Sequence, residues 1–224
     1  MAMLRTVCRV SLAGCLVLGA AAASGGCAIL GAVAYKVSGP TTHAPEYLLA
    51  DEPTIVIVER AGNPGETAVE ALQIAAVMTD LLKATKTVKP ATQPARPMPT
   101  FIDPGLALEA RGKLTPDGRR PTPAEVARTC GAKQVIYVDL RYYSSTRSLA
   151  GDAIDGNAEA GVWVFDARTA QARWPLESTS GKSVAASVPF TPVTGTDTGE
   201  TVRQKLAQDF GTKVARLFTG WTEE

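Results

Sequence analysis

The run Thr54-Ile55-Val56-Ile57-Val58-Glu59 constrains the fold of this chain more than any other stretch, because nothing polar interrupts it between Thr54 and Glu59. A strand with one wet face alternates apolar and polar residues, whereas a continuous β-branched run reads as a strand covered on both faces. The cover follows directly in the sequence. Past the turn Gly62-Asn63-Pro64-Gly65, Thr67 and Glu70 have the spacing of a capping box, and Ile74, Val77, Met78, Leu81 and Leu82 recur at helical spacing. Glu66, Glu70, Gln73 and Asp80 take the other side, while Lys83 and Lys86 suit the negative end of the helix dipole.

The rest of the chain continues this alternation. Thr87-Val88-Lys89 begins a short strand, and the proline-rich stretch Pro90 to Pro99 then forces irregular structure. A short helix spans Pro104 to Arg111. Another starts at Thr122-Pro123-Ala124-Glu125, with Thr122 as cap, Pro123 in the first turn and Glu125 at the third helical position. Gln134 to Tyr143 reads as a strand with Ile136, Val138, Leu140 and Tyr142 on one face and Asp139 and Arg141 on the other. After a Ser/Gly/Asp loop comes Ala158 to Asp166, with Val162 and Val164 on one face and Trp163 and Phe165 on the other. A third strand lies near Gln171 to Glu177 and a weaker one at Val184 to Phe190. The last element is a helix from Glu200 to Thr219, in which Val202, Leu206, Phe210, Val214, Leu217 and Trp221 share a face and Gly220 is the stop. Gly211 inside it costs roughly 1 kcal/mol of propensity and marks close packing. The expected fold is α/β (α+β). It has a mixed sheet of about four or five strands with a C-terminal β-meander, packed by two long amphipathic helices and one or two short ones.

Ahead of this domain, Arg5 and Arg9 are the only charges before Lys36, and they precede the apolar run Val10 to Ala23. This is the layout of an export signal. Ser24-Gly25-Gly26-Cys27 resembles a bacterial lipobox, which implies removal of the signal and acylation of Cys27. Leu12-Ala13-Gly14-Cys15 matches that pattern in text, but only Val10, Ser11 and Leu12 separate Arg9 from Ala13, too short an apolar segment to engage the export machinery. Two other outcomes stand beside lipidation: cleavage after Ala21-Ala22-Ala23, or retention as an anchor. The 26 charge-free residues from Val10 to Tyr35 exceed the roughly 20 needed to span a bilayer. Each outcome puts the folded part outside the cytoplasm. Ala28 gives no aspartate-type retention signal, which favours the outer membrane on its periplasmic side. The organisation is therefore 1–26 signal peptide, 27–52 lipid anchor and linker containing Gly39-Pro40 and His43, and 53–224 a single α/β domain.

Charge and side-chain chemistry exclude more functions than they suggest. Removing the leader takes away Arg5 and Arg9 and moves the formal charge from +1 to −1, which offers no field for nucleic acid. The single histidine, His43, lies in the linker and leaves no histidine-based metal or catalytic cluster; no cofactor is expected. Cys130 reads as a small buried residue at a helix end. Ser180-Gly181-Lys182-Ser183 echoes a phosphate loop, but Leu176 stands where its first glycine belongs. Asp152 to Asn157 lacks the alternating acids of a calcium loop and reads as a polar hairpin loop. One loop stands out by charge: Arg111, Lys113, Arg119 and Arg120, with Asp117 as its only acid, form a candidate partner-binding loop. Paired carboxylates of a hydrolase remain the alternative, since sequence alone does not set their separation.

The order of these elements resembles the amino-terminal domain of Tol translocation protein B, and the curli-export and penicillin-binding-protein-activator lipoproteins are similar. The resemblance is carried by Ala124-Glu125-Val126-Ala127-Arg128-Thr129-Cys130-Gly131-Ala132-Lys133-Gln134-Val135-Ile136-Tyr137-Val138, and by Val162-Trp163-Val164-Phe165-Asp166-Ala167-Arg168-Thr169-Ala170-Gln171-Ala172-Arg173-Trp174. In the second segment Ala170 stands where that family's hairpin has glycine. Cys27, Ala34-Tyr35-Lys36 and Gly39-Pro40 also resemble the leader of uncharacterised planctomycete lipoproteins. What these resemblances imply is an envelope lipoprotein, anchored through Cys27, that binds an envelope protein or a cell-wall component and carries no chemistry of its own.

Overall fold

The computed structural model of the chain describes residues 41–60, 68–85, 87–88, 96–114, 119–147, 151, 153–193 and 198–223. The leader, Cys27 and the Thr67 cap lie outside these. Two units are distinguished: Ala44–Trp221, and a small one that joins the residues before Ala44 to Thr222–Glu224. Strand β1 (Thr42–His43) pairs with β9 (Trp221–Thr222), and within the small unit His43 Nε2 lies 2.9 Å from Glu223 Oε1.

The larger unit is α/β. Its five-stranded sheet contains β2 (Thr54–Arg60), β5 (Gln134–Arg147), β6 (Ala153–Asp166), β7 (Ala172–Trp174) and β8 (Lys182–Pro192). The β-branched run becomes β2, which pairs in parallel with β5, placing Ile57 against Tyr137 and Glu59 against Asp139. β5 and β6 are antiparallel, and β7 and β8 both pair antiparallel with β6. Because β5 takes one edge of β6, β7 and β8 lie end to end along the other, separated by residues 175–181. The expected meander is thus one long hairpin partner interrupted by a loop.

Both faces of β2 are covered, as its apolar run demands. On one side, α1 (Ala68–Ala84) and α4 (Thr198–Thr219) lay Ile74, Met78, Leu82, Leu206 and Phe210 against Val56, Ile136, Val138, Leu140 and Val162. Each of these large side chains is fully buried, contributing about 1.5–3 kcal/mol. On the other side, the shorter α2 (Gly105–Leu114) and α3 (Pro123–Thr129) bury Ala107, Ala110, Val126 and Ala127 against Ile55, Ile57 and Val135. This cluster also takes in Ala167 just after β6, Tyr137 of β5 and Phe165 of β6 pack against its edge, and it includes no residue of β8.

Several local expectations are met residue by residue. Thr122 and Glu125 form a reciprocal capping box at the start of α3. Gly211 is where α4 meets α1 most closely, since a Cβ there would come within 2.8 Å of Val77 Cγ1. Gly220 ends α4 with φ +69°. Other expectations need correction. A register shift between Leu140 and Tyr142 reverses the alternation, so Tyr143 is buried at 8% exposure while Tyr142 faces out at 48%. The stretch expected to loop between the hairpin strands is mostly strand: β5 runs on to Arg147 and β6 starts at Ala153, because polar Ser144, Ser145, Asp155 and Asn157 sit in a ladder with one wet face. Within the proline-rich stretch, β4 (Arg96–Pro97) pairs with β3 (Thr87–Val88). Leu49, within the stretch read as linker, is buried in the main core. Among the described residues no helix is long and apolar enough to cross a membrane.

Candidate functional site

In open α/β sheets, ligands bind in the crevice beyond the carboxyl ends of parallel strands. Here that crevice lies past β2 and β5, where the register partners Glu59 and Asp139 both fall on the face that carries α2 and α3. Glu59 follows four buried or half-buried aliphatic residues, and its side chain is only 4% exposed. A carboxylate in that position needs compensation. Arg120 Nη2 donates to Glu59 Oε2 at 2.6 Å, the Arg111 guanidinium closes on Oε1, and the Tyr137 hydroxyl donates to Oε2 at 3.3 Å. Burial pulls the Arg111 pKa down, and the neighbouring Arg120 charge adds to this. Burial pushes the Tyr137 phenol up, with Asp139 acting in the same direction and the two arginines against it.

Two spaces meet at Glu59. One is a narrow cavity of about 60 Å³ between β2, α1 and α2, bordered by Ala71, Leu72, Ala107, Leu108 and Arg111. The other is an open cleft of about 450 Å³ bordered by Arg120, Thr122, Tyr137 and Asp139. The Asp139 side chain makes no hydrogen bond or ion pair among the described residues, so the cleft holds one free carboxylate beside one that is fully engaged.

The structure places three of the four residues of the basic loop in ion pairs, with Arg119 still 65% and Arg120 50% exposed. Arg111 and Arg120 fold back onto Glu59, and Arg119 Nη2 meets Glu125 Oε1 at 2.8 Å, which also steadies the α3 cap. Lys113 is exposed on α2, and residues 115–118 lie outside the described residues. His43 sits with Glu223 in the small unit. Cys130 caps the end of α3 as a free, partly exposed thiol, and burial raises its pKa. Among the described residues no group of three or more His, Cys, Asp and Glu is arranged to hold a metal ion.

Beside the cleft the sheet surface is aromatic. Tyr137 on β5 and Trp163 on β6 are cross-strand partners, and Phe165 is next to Trp163 on the same face. Ring centroids are 5.8 Å apart for Tyr137 and Trp163, 6.0 Å for Tyr137 and Phe165, and 6.4 Å for Trp163 and Phe165, the last pair only 15° from parallel. The indole lies over two glycines: a Cβ on Gly161 or on Gly181 would come within 2.7 Å of it. Arg141 borders this surface, held by the Ser180 carbonyl and by Glu159 at 3.8 Å. Sequence reading placed Trp163 and Phe165 on a common face but did not assign them a site, and it missed Glu59, Tyr137 and Asp139. The signal available was an acid ending a strand that must be buried on both sides.

At the opposite end of the sheet, Arg128, Lys133, Arg168 and Arg173 surround a groove of about 460 Å³ with Glu52 and Asp166. Most of this charge has a structural partner. Arg173 pairs with Asp166 at 2.6 Å and Glu52 at 2.9 Å, and Arg128 donates to the Ala167 carbonyl at 3.0 Å. The Arg173 guanidinium and the Thr169 and Arg168 amides hold the Asp166 carboxyl well below the usual carboxylate range.

No protein-family pattern matches the sequence, and no curated protein matches it. Solved structures similar to this chain include the PelC dodecamer from Paraburkholderia phytofirmans, with 12% identity over 80% of this chain and 97% of that one, at a TM-score of 0.37. Lipoprotein GNA1162 from Neisseria meningitidis is 12% identical over 73% of this chain and 96% of its own, at 0.38. Protein XCC0632 from Xanthomonas campestris is 9% identical over 79% and 90%, at 0.33.

Proposed function

We propose that this chain is an exported cell-envelope protein, held to a membrane by acylated Cys27, whose domain binds a partner protein or a cell-wall component without catalysing a reaction. The leader supports the address: two arginines, a charge-free apolar run and small residues directly before a cysteine. The clamp on Glu59 supports the absence of chemistry and is the observation that carries this reading. A general acid or base must exchange its proton with substrate, whereas a carboxylate closed between two guanidiniums and a phenol is committed to holding α2 and the segment before α3 on the sheet. An acidic hydrolase needs two working carboxylates, and of the register pair only Asp139 is free. The outer face of β5, β6 and β8 supplies the binding surface.

The test is crosslinking in intact cells from a photoreactive side chain at Tyr142, which is 48% exposed on that face. A discrete adduct, either with one protein or with the insoluble wall fraction, is expected. Absence of any specific adduct there contradicts the binding role.

A further inference from the structure

We infer that the Tyr137, Trp163 and Phe165 surface is a binding platform for a neutral glycan chain, an inference that rests on the envelope-binding reading and names its ligand class. The indole is held flat by construction. Trp163 spans Gly161 on its own strand and Gly181 just before β8, and Gly181 has φ +73°, so no side chain at either position stands between the ring and the backbone. Phe165 lies nearly parallel to the indole at 15°, and Tyr137 stands beside both, tilted by 37° from the indole and 49° from the phenyl ring. The partly exposed, nearly parallel Trp163 and Phe165 rings match the C–H face of a pyranose ring, while the apolar side chains of a docked helix call for a groove.

The rim decides between ligands of different charge. Around the rings stand Glu59, Asp139 and Glu159 against Arg111, Arg120 and Arg141, three of each sign. A polyanion or polycation needs a surplus of the opposite charge, and among the described residues this rim has none. What the rim offers is a charged acceptor, the Asp139 carboxylate, close to guanidinium donors, the combination that hydroxyl groups at a sugar's edge can use in both directions. The cleft at Arg120, Tyr137 and Asp139 opens beside the platform, leaving room for a chain longer than one sugar.

The chain has 3 tryptophans, and Trp174, packed with Tyr47 and Phe218, and Trp221, under Arg216, serve as internal references. The full chain in detergent micelles, labelled with fluorotryptophan and assigned by Trp163→Phe, is titrated with a neutral glucose hexamer, a neutral N-acetylglucosamine hexamer and a galacturonate hexamer as charged control. The expected result is a saturable shift of the Trp163 fluorine signal alone with at least one neutral hexamer. Asp139→Asn, which preserves size, should weaken that binding about tenfold, as should Trp163→Ala where it folds. A shift with the galacturonate hexamer only, or none with any of the three, overturns the glycan assignment. So does a protein adduct trapped from this face in cells with no response to the neutral sugars, an outcome that keeps the envelope-binding role.

Discussion

Glu59 and Asp139 occupy the same register step on adjacent parallel strands, yet one is closed off by two arginines and the other faces an open cleft. The difference follows from α2 and the segment leading into α3, which bring Arg111 and Arg120 onto Glu59 of β2 and place no ion-pair partner on Asp139 among the described residues. The same arginines that sequence reading assigned to a partner therefore hold two segments of the domain together.

Glu59→Gln keeps the volume and removes the buried charge that Arg111, whose side chain is 23% exposed, and Arg120 both face. It should destabilise the domain by about 2–4 kcal/mol, the cost of breaking a buried charge cluster by losing one partner. Arg120→Ala should cost no more than about 1 kcal/mol, because that side chain is 50% exposed. Urea unfolding midpoints for the two variants check the ranking; equal losses would mean that Glu59 is not the centre of the cluster.

Ala170 adopts φ +58° in the turn between β6 and β7, a conformation that costs a side chain with a Cβ about 1–2 kcal/mol. Ala170→Gly should stabilise the domain by about 0.5–1 kcal/mol after the added freedom of the unfolded chain is counted. A rise in Tm of a few degrees is the expected reading, and a fall would show that the turn is not strained.

Gly211→Ala forces a Cβ against Val77 Cγ1 at 2.8 Å, in the interface between α1 and α4. Overpacking of about 1–3 kcal/mol should outweigh the gain in helix propensity of about 1 kcal/mol. The double variant with Val77→Ala should recover most of the loss, giving a non-additive cycle. Additive effects would place the two residues out of contact.

Tyr143, buried by the register shift that exposes Tyr142, has its phenol pushed up to about 12 by burial, with Glu70 adding to the shift. The fold favours the neutral form. Its contribution to stability is therefore complete below pH 10, the ordinary tyrosine value, and is lost as pH rises towards about 12. Thermal unfolding across that window should show a decline that Tyr143→Phe reduces, and an unchanged slope would contradict the assignment.

What was legible in the sequence is what rests on local periodicity. The stripes of α1 and α4, the Thr122 and Glu125 cap and the doubly covered β2 all follow from contacts between neighbours in the chain. The register shift at Arg141 was not legible, since one extra residue reverses which tyrosine is buried without altering composition. The ends of β5 and β6 were hidden by their polar content, which reads as loop until a partner strand pairs with it. The Glu59 cluster was out of reach for a different reason: Arg120 lies 61 residues away in sequence, and only the folded topology brings it to the strand end. Trp163 carried a visible hint in Gly161, but Gly181 joins it only through the pairing of β6 with β8.

The most direct test of the central claim is metabolic labelling with a fatty-acid analogue in cells expressing the wild type, Cys27→Ser and Cys130→Ser. Envelope anchoring through Cys27 predicts label on the wild type and on Cys130→Ser and none on Cys27→Ser, with Cys27→Ser released from the membrane fraction or retained only as an unprocessed precursor. Label persisting on Cys27→Ser, or a wild-type protein that never takes label, contradicts it.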